Sequence, residues 1–196
     1  MPDSGTSGTT SPWSAQARGD GLLYLSSADI ESLNLSPAAL RRAIAAAIRQ
    51  RSAPARGGGM KTRVQLDEGR FFMSMSDADD GLGLGVTKWI GYSADNARRD
   101  LPAISAQIIV NDAVTGRAVA IIDGSWITTH RTAALLALAA EALAKPGASN
   151  LGVLGCGVQA HSNLAALADV LPALRRVRAF SRSTDSAEAL AQRARG

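Results

Sequence analysis

From Leu22 onward the chain moves between two hydrophobic rhythms. Apolar residues at every second position, or in short unbroken runs, predict strands, and apolar residues three and four apart predict helices. LLYLSS (22–27) is a short strand. Ser36 and Pro37 set an N-cap and a first helical position ahead of AALRRAIAAAIRQR, whose apolar face is Leu40, Ile44, Ala47 and Ile48. RSAPARGGG ends that helix in a loop rich in breakers. The runs KTRVQLD, GRFFMSMS, LGLGVTKWIGY and AISAQIIVND then read as strands, and NDAVTG turns at hairpin spacing into another, RAVAIID. Residues 22–123 therefore predict a mainly antiparallel sheet with one or two helices.

SWITTHRTAALLALAAEALAKPG is a long helix closed by Pro146 and Gly147. After it the texture changes. NLGVLG is a continuous apolar strand of the buried parallel kind, followed by a glycine turn, a helix over 158–171, the strand RVRAF and a last helix, STDSAEALAQRAR. This is the first half of a doubly wound α/β sheet. The fold class expected is α/β: a mainly antiparallel α+β domain over 21–124, a connecting helix over 125–146 and a partial Rossmann domain over 147–196. Residues 1–20, dominated by Gly, Ser, Thr and Pro, read as a flexible tail. The chain is expected to be part of a longer protein. Made alone, it should expose a sheet edge, aggregate and be inactive.

Composition narrows the function classes. With 46% hydrophobic and 19% charged residues the chain reads as soluble and globular. Its net charge of +4 comes from scattered arginines, and three Phe, two Tyr and three Trp offer little to stack on bases, so no nucleic-acid partner is expected. No apolar run reaches the roughly 18 residues of a membrane span, and no membrane partner is expected. The N-terminus lacks a secretory h-region, and the single Cys156 excludes an internal disulfide; both suit the cytoplasm.

Gly155, Gly157 and Ala160 form G-x-G-x-x-A directly after an apolar strand and directly before a helix. The first glycine permits the tight turn. The second lets backbone approach a pyrophosphate, and Ala160 allows close helix–strand packing. The N–H groups that open the helix, at Val158 and Gln159, face the anion. The alternative is a strand–helix turn with no ligand. Cys156, in a variable slot, reads as a spacer. In NAD-preferring folds an acid ends the second strand. Here Ser181, Arg182 and Ser183 follow it, which suits a 2′-phosphate and favours NADP, with NAD as the alternative. Asp185 falls in the first turn of the next helix. Arg131, on an otherwise apolar helix, stands out as a charge needing a partner. His130 reads as packing or solvated, and SDADDG (76–81) as a turn; no metal site is expected.

In this order, GVTKWIGYSADNARRDLP, VNDAVTGRAVAIIDGSWITTHRTAA and GVLGCGVQA resemble the ornithine cyclodeaminase/mu-crystallin family over roughly residues 22–196. The resemblance implies NAD or NADP, and interconversion of amino acids with imines or keto acids. It implies a small amino acid or cyclic imine as substrate and a homodimer at full length, with 21–124 as the substrate-binding and dimerisation domain. It also implies that Arg63, Lys88 and Arg131 meet the substrate α-carboxylate, with Lys88 able to relay a proton. Taken alone, Arg63 and Lys88 read equally as solvated charges. The family's Met-Pro pair is replaced here by MSMS, and its second nucleotide-domain half, with an acid for proton transfer, does not occur in this sequence. The function expected is an NAD(P)-dependent amino-acid or imine enzyme, ornithine cyclodeaminase-like. The alternatives are a ketimine reductase, an alanine dehydrogenase and a non-catalytic NADP(H)-binding protein or inactive fragment.

Overall fold

A computed structural model describes residues 21–51 and 59–195; the tail expected over 1–20 lies outside them. The chain divides into two compact units, each discontinuous in sequence: Met1–Ile30 with Gly57–Ser125, and Glu31–Arg56 with Trp126–Gly196.

The first unit is built on six strands: β1 (Leu23–Leu25), β2 (Met60–Asp67), β3 (Arg70–Asp79), β4 (Leu84–Ser93), β5 (Ile104–Asp112) and β6 (Ala118–Asp123). They form one sheet in the order β1-β6-β5-β4-β3-β2. Every pairing is antiparallel except β1 with β6. A short helix, α1 (Ser27–Ser32), follows β1. Side-chain acceptors close the turns. Asp67 takes the Gly69 N–H at 2.9 Å and the Arg70 guanidinium, and Asp112 takes the N–H groups of Val114 and Thr115 at 3.1 and 2.7 Å. The turn expected over 76–81 is shorter than its composition suggests. Ser76–Asp79 stay paired with Leu84–Thr87, and the reversal falls at Asp80–Gly83, where Gly83 has φ 66°.

Alternation along the strands gives the sheet two unlike faces. On one, Arg63, Met73, Ile90 and Ala106 share a row, flanked by the Lys61–Met75–Lys88–Ile108 row and the Gln65–Phe71–Tyr92–Ile104 row. Ile90 and Ala106 are buried, and Gly124 sits so close to Ala106 that a Cβ would come within 2.9 Å of the alanine methyl. On the other, the row Met60–Ser76–Thr87–Ile109–Ile121–Tyr24 crosses all six strands without a charge. Beside it Phe72 stacks on Trp89, ring centroids 5.5 Å apart.

The second unit holds α2 (Pro37–Arg51), most of α3 (Gly124–Leu143), β7 (Asn150–Leu154), α4 (Val158–Val170), β8 (Arg176–Phe180) and α5 (Thr184–Arg193). β7 and β8 pair in parallel, as expected of a strand–helix–strand turn. Cys156, Ala160, Leu164 and Leu190 form a core with Leu151, Val153, Val177 and Ala179 packed against it. On its other side α4 places Ala166 against Ala133 and Ala137 of α3, alanines allowing close helix approach. α2, assigned from sequence to the 21–124 domain, groups here instead. Arg41 explains this, reaching Glu141 of α3 at 3.1 Å and Asp169 of α4 at 2.5 Å.

Candidate functional site

In the second unit the glycine turn has the form its sequence requires. Gly155 adopts φ 86°, a left-handed conformation that disfavours a side chain. Gly157 is the N-cap of α4 at φ −83°, and a Cβ built on it meets nothing within 4 Å. Ala160 and Cys156 are buried beneath the turn, and the Cys156 thiol lies 3.7 Å from the Phe180 carbonyl. Cys156 is thus a packed spacer. The first amides of α4, at Val158 and Gln159, belong to the turn that no earlier helical carbonyl serves. Open space above Gly157, unserved amides and a small buried Ala160 fit a dinucleotide pyrophosphate.

The Gly155 N–H donates to the Phe180 carbonyl at 2.8 Å, which holds the end of β8 against the turn. Ser181 (half-buried) and Arg182 (exposed) follow at once, and Arg182 has no ion-pair partner among the described residues. Ser183 has a second task that the sequence reading missed. It is the N-cap of α5, its Oγ accepting from the Ser186 N–H at 3.3 Å, and its O–H remains to donate. Its place before a first-turn acid, Asp185, was the available signal. Leu154, Val158 and Phe180 stand exposed around the turn as an apolar rim at the carboxyl ends of the strands.

In the first unit the structure places Arg63 and Lys88 on the same sheet face, on adjacent rows and with β3 between their strands. Arg63 is exposed and Lys88 half-buried. The Arg63 guanidinium lies over the Phe71 ring at 3.9 Å, and Phe71 stacks on Tyr92 at 4.9 Å. Neither aromatic was singled out from sequence. The signal lay in the β2–β3 register, which brings Phe71 beside Arg63 only once the 67–70 turn is counted correctly.

Arg131 lies in the second unit, half-buried on α3, with no ion-pair partner among the described residues. His130 beside it is engaged locally. Its Nδ1 is 2.9 Å from the Trp126 carbonyl and its ring stacks on the indole at 4.0 Å.

The chain is 29% identical over 180 residues to the ketimine reductase mu-crystallin of Mus musculus, a match covering 88% of this chain and 56% of that one. Its fold matches an archaeal alanine dehydrogenase dimer with bound NAD at a TM-score of 0.80 and 27% identity, over 87% of this chain and 52% of that one. It also matches Thermococcus litoralis Delta(1)-pyrroline-2-carboxylate reductase in complex with NADH and L-proline at a TM-score of 0.79 and 25% identity, over 87% of this chain and 53% of that one. The chain spans about half the length of these proteins. The sequence model of the ornithine cyclodeaminase/mu-crystallin family matches residues 23–196, and the chain belongs to that family.

Proposed function

We propose that this chain carries the cofactor turn and substrate cations of an NAD(P)-dependent enzyme acting at the Cα of an amino acid or its imine. The observation that carries the reading is the open glycine turn, with Gly157 unobstructed and the end of β8 held against Gly155. A nicotinamide dinucleotide, when bound, supplies a hydride acceptor or donor. The N–H groups of Val158 and Gln159 hold its pyrophosphate, with Gly155, Gly157 and Ala160 leaving the room. Arg63 and Arg131 are assigned the substrate α-carboxylate, which guanidinium forks grip bidentately. Lys88 is assigned to the same carboxylate and to proton relay. A cation near the amine favours the neutral amine, from which hydride leaves Cα more readily.

Cyclodeamination of an ornithine-like amino acid is the first reading of the net reaction. Net reduction of a ketimine is the second, favoured by the ketimine reductase and pyrroline-carboxylate reductase among the similar proteins. Absorbance in the nicotinamide band separates them: ammonia release without net change marks cyclodeamination, and net change marks a reductase or dehydrogenase. The proposal also places the protein in the cytoplasm and makes it a homodimer at full length. The charge-free row Met60–Ser76–Thr87–Ile109–Ile121–Tyr24 supports the homodimer.

NADP(H) is the cofactor we assign, through Ser181, Arg182 and the Ser183 hydroxyl. A carboxylate at this strand end would repel a 2′-phosphate, and none is present there. Fluorescence titration of NADPH and NADH against wild type and Arg182→Ala in the full-length protein tests it. NADPH should bind more tightly, and Arg182→Ala should weaken NADPH about tenfold while leaving NADH almost unchanged, the loss of one charge-assisted phosphate contact. Tighter NADH binding by wild type, with no NADPH loss in the variant, overturns the assignment.

A further inference from the structure

We infer that Phe71, backed by Tyr92, is a positioning residue for Arg63, a ring platform that holds the guanidinium with its hydrogen-bonding edge free for a carboxylate. The inference rests on the reading of Arg63 as a carboxylate ligand and extends it to two side chains with no assigned role.

Three observations carry it. The Arg63 guanidinium carbon sits 3.9 Å from the Phe71 centroid, within cation–π range. Phe71 is itself fixed, its ring 4.9 Å from Tyr92 and tilted by 21°, and the two are direct cross-strand partners on β3 and β4. Arg63 is exposed, on an edge strand, and has no ion pair among the described residues. An exposed arginine on an edge strand otherwise samples many rotamers, and binding a ligand must then order it.

The ring limits that sampling in a particular way. A carboxylate partner would use the N–H donors that a substrate needs. A ring uses only the flat face, and the five donors in the guanidinium plane stay available. The aromatic stack therefore orients the arginine without competing for its chemistry. Met73, directly opposite Arg63, lies on the same face, and the Lys61–Met75–Lys88 row follows it. The donors thus lie on the cation-bearing side of the sheet.

The test follows arginine Nε–H resonances of the full-length protein that carries this chain, saturated with NADP⁺, while L-proline, L-ornithine or L-alanine is added. Wild type, Phe71→Leu, Phe71→Tyr, Arg63→Ala and the Phe71→Leu/Arg63→Ala double variant are compared. The Arg63 Nε–H should carry a ring-current shift in wild type and Phe71→Tyr that Phe71→Leu abolishes. Phe71→Leu should weaken amino-acid binding about three- to fivefold, the scale of an exposed cation–π contact. Phe71→Tyr should restore it, and Phe71→Leu should add nothing when Arg63 is already Ala. If Arg63→Ala weakens binding and Phe71→Leu does not, or if Phe71→Leu weakens it equally in both backgrounds, the positioning role is wrong and the Arg63 assignment stands. If Arg63→Ala binds like wild type, or wild type binds none of the three, the carboxylate reading itself fails and takes this inference with it.

Discussion

Gly155 and Gly157 lie two residues apart in one motif, yet substituting them should do opposite things. Gly155 holds φ 86°, so Gly155→Ala strains the backbone and should destabilise the protein by about 1–2 kcal/mol. Gly157 holds φ −83° with open space about its Cα, so Gly157→Ala should leave stability within about 0.5 kcal/mol. It should nonetheless weaken dinucleotide binding about tenfold or more, because its methyl occupies the space through which backbone approaches pyrophosphate. Thermal melts with and without NADPH check both outcomes. A Gly157→Ala variant that binds like wild type means that nothing approaches the turn there. These glycines were legible in sequence because a tight turn constrains residue type locally. Phe71 was not, because its role depends on the residue across the strand, and register emerges only from the folded turn. Ser183 falls between: cap and phosphate ligand draw on the same residue types, and sequence composition does not separate them.

At the scale of elements, the β2–β3 turn carries a pH dependence of definite sign. The Asp67 carboxyl is held below the usual carboxylate range, chiefly by its hydrogen bond to Arg70 and further by the Gly69 N–H. A lowered folded-state pKa means that the stabilisation is complete above the ordinary carboxylate value and fades as pH falls through the lowered one. Asp67→Ala should therefore narrow its stability gap to wild type as the pH of urea melts drops from neutral into the acid range. A gap that widens on acidification overturns this account. Element types were read well, because the strands alternate and the helices carry 3.6-residue periodicity. Element ends and partners were read less well. Asp77 and Asp79 look like turn residues, but ladder pairing with Val86 and Leu84 keeps them in β3. α2 follows β1 closely in sequence and still groups with the second unit, since Arg41 finds its acids on α3 and α4. Such pairings span a hundred residues or more, beyond what local pattern encodes.

For the molecule as a whole, the sheet face that carries charge only at strand ends, at Arg70 and Asp123, is the feature to test. Solvent-facing sheet surfaces ordinarily carry charge, and this one presents Trp89 at 44% exposure and Ile109 at 37% between Ser, Thr and Gln. Six strands of about eight residues span on the order of 700 Å², close to the roughly 800 Å² each partner contributes to a stable complex. Ile109→Lys should raise the dimer dissociation constant by about a hundredfold or more, because an unpaired charge enters an apolar contact. Sedimentation equilibrium of full-length wild type and variant checks it, and a full-length wild type that stays monomeric at tens of micromolar, roughly the range of weak specific contacts, removes the homodimer. The two units also have a temporal consequence. Each draws on an early and a late stretch of chain: β1 pairs with β6, Leu23 meeting Ala120, and Arg41 must wait for Asp169. Neither unit can be finished while the ribosome is still making the first hundred or so residues. Strands β2 to β5 emerge before the elements that complete either unit. Synthesis thus passes through a long interval in which the sheet lacks its final edge and its apolar side chains are uncovered, the interval in which chaperones matter most.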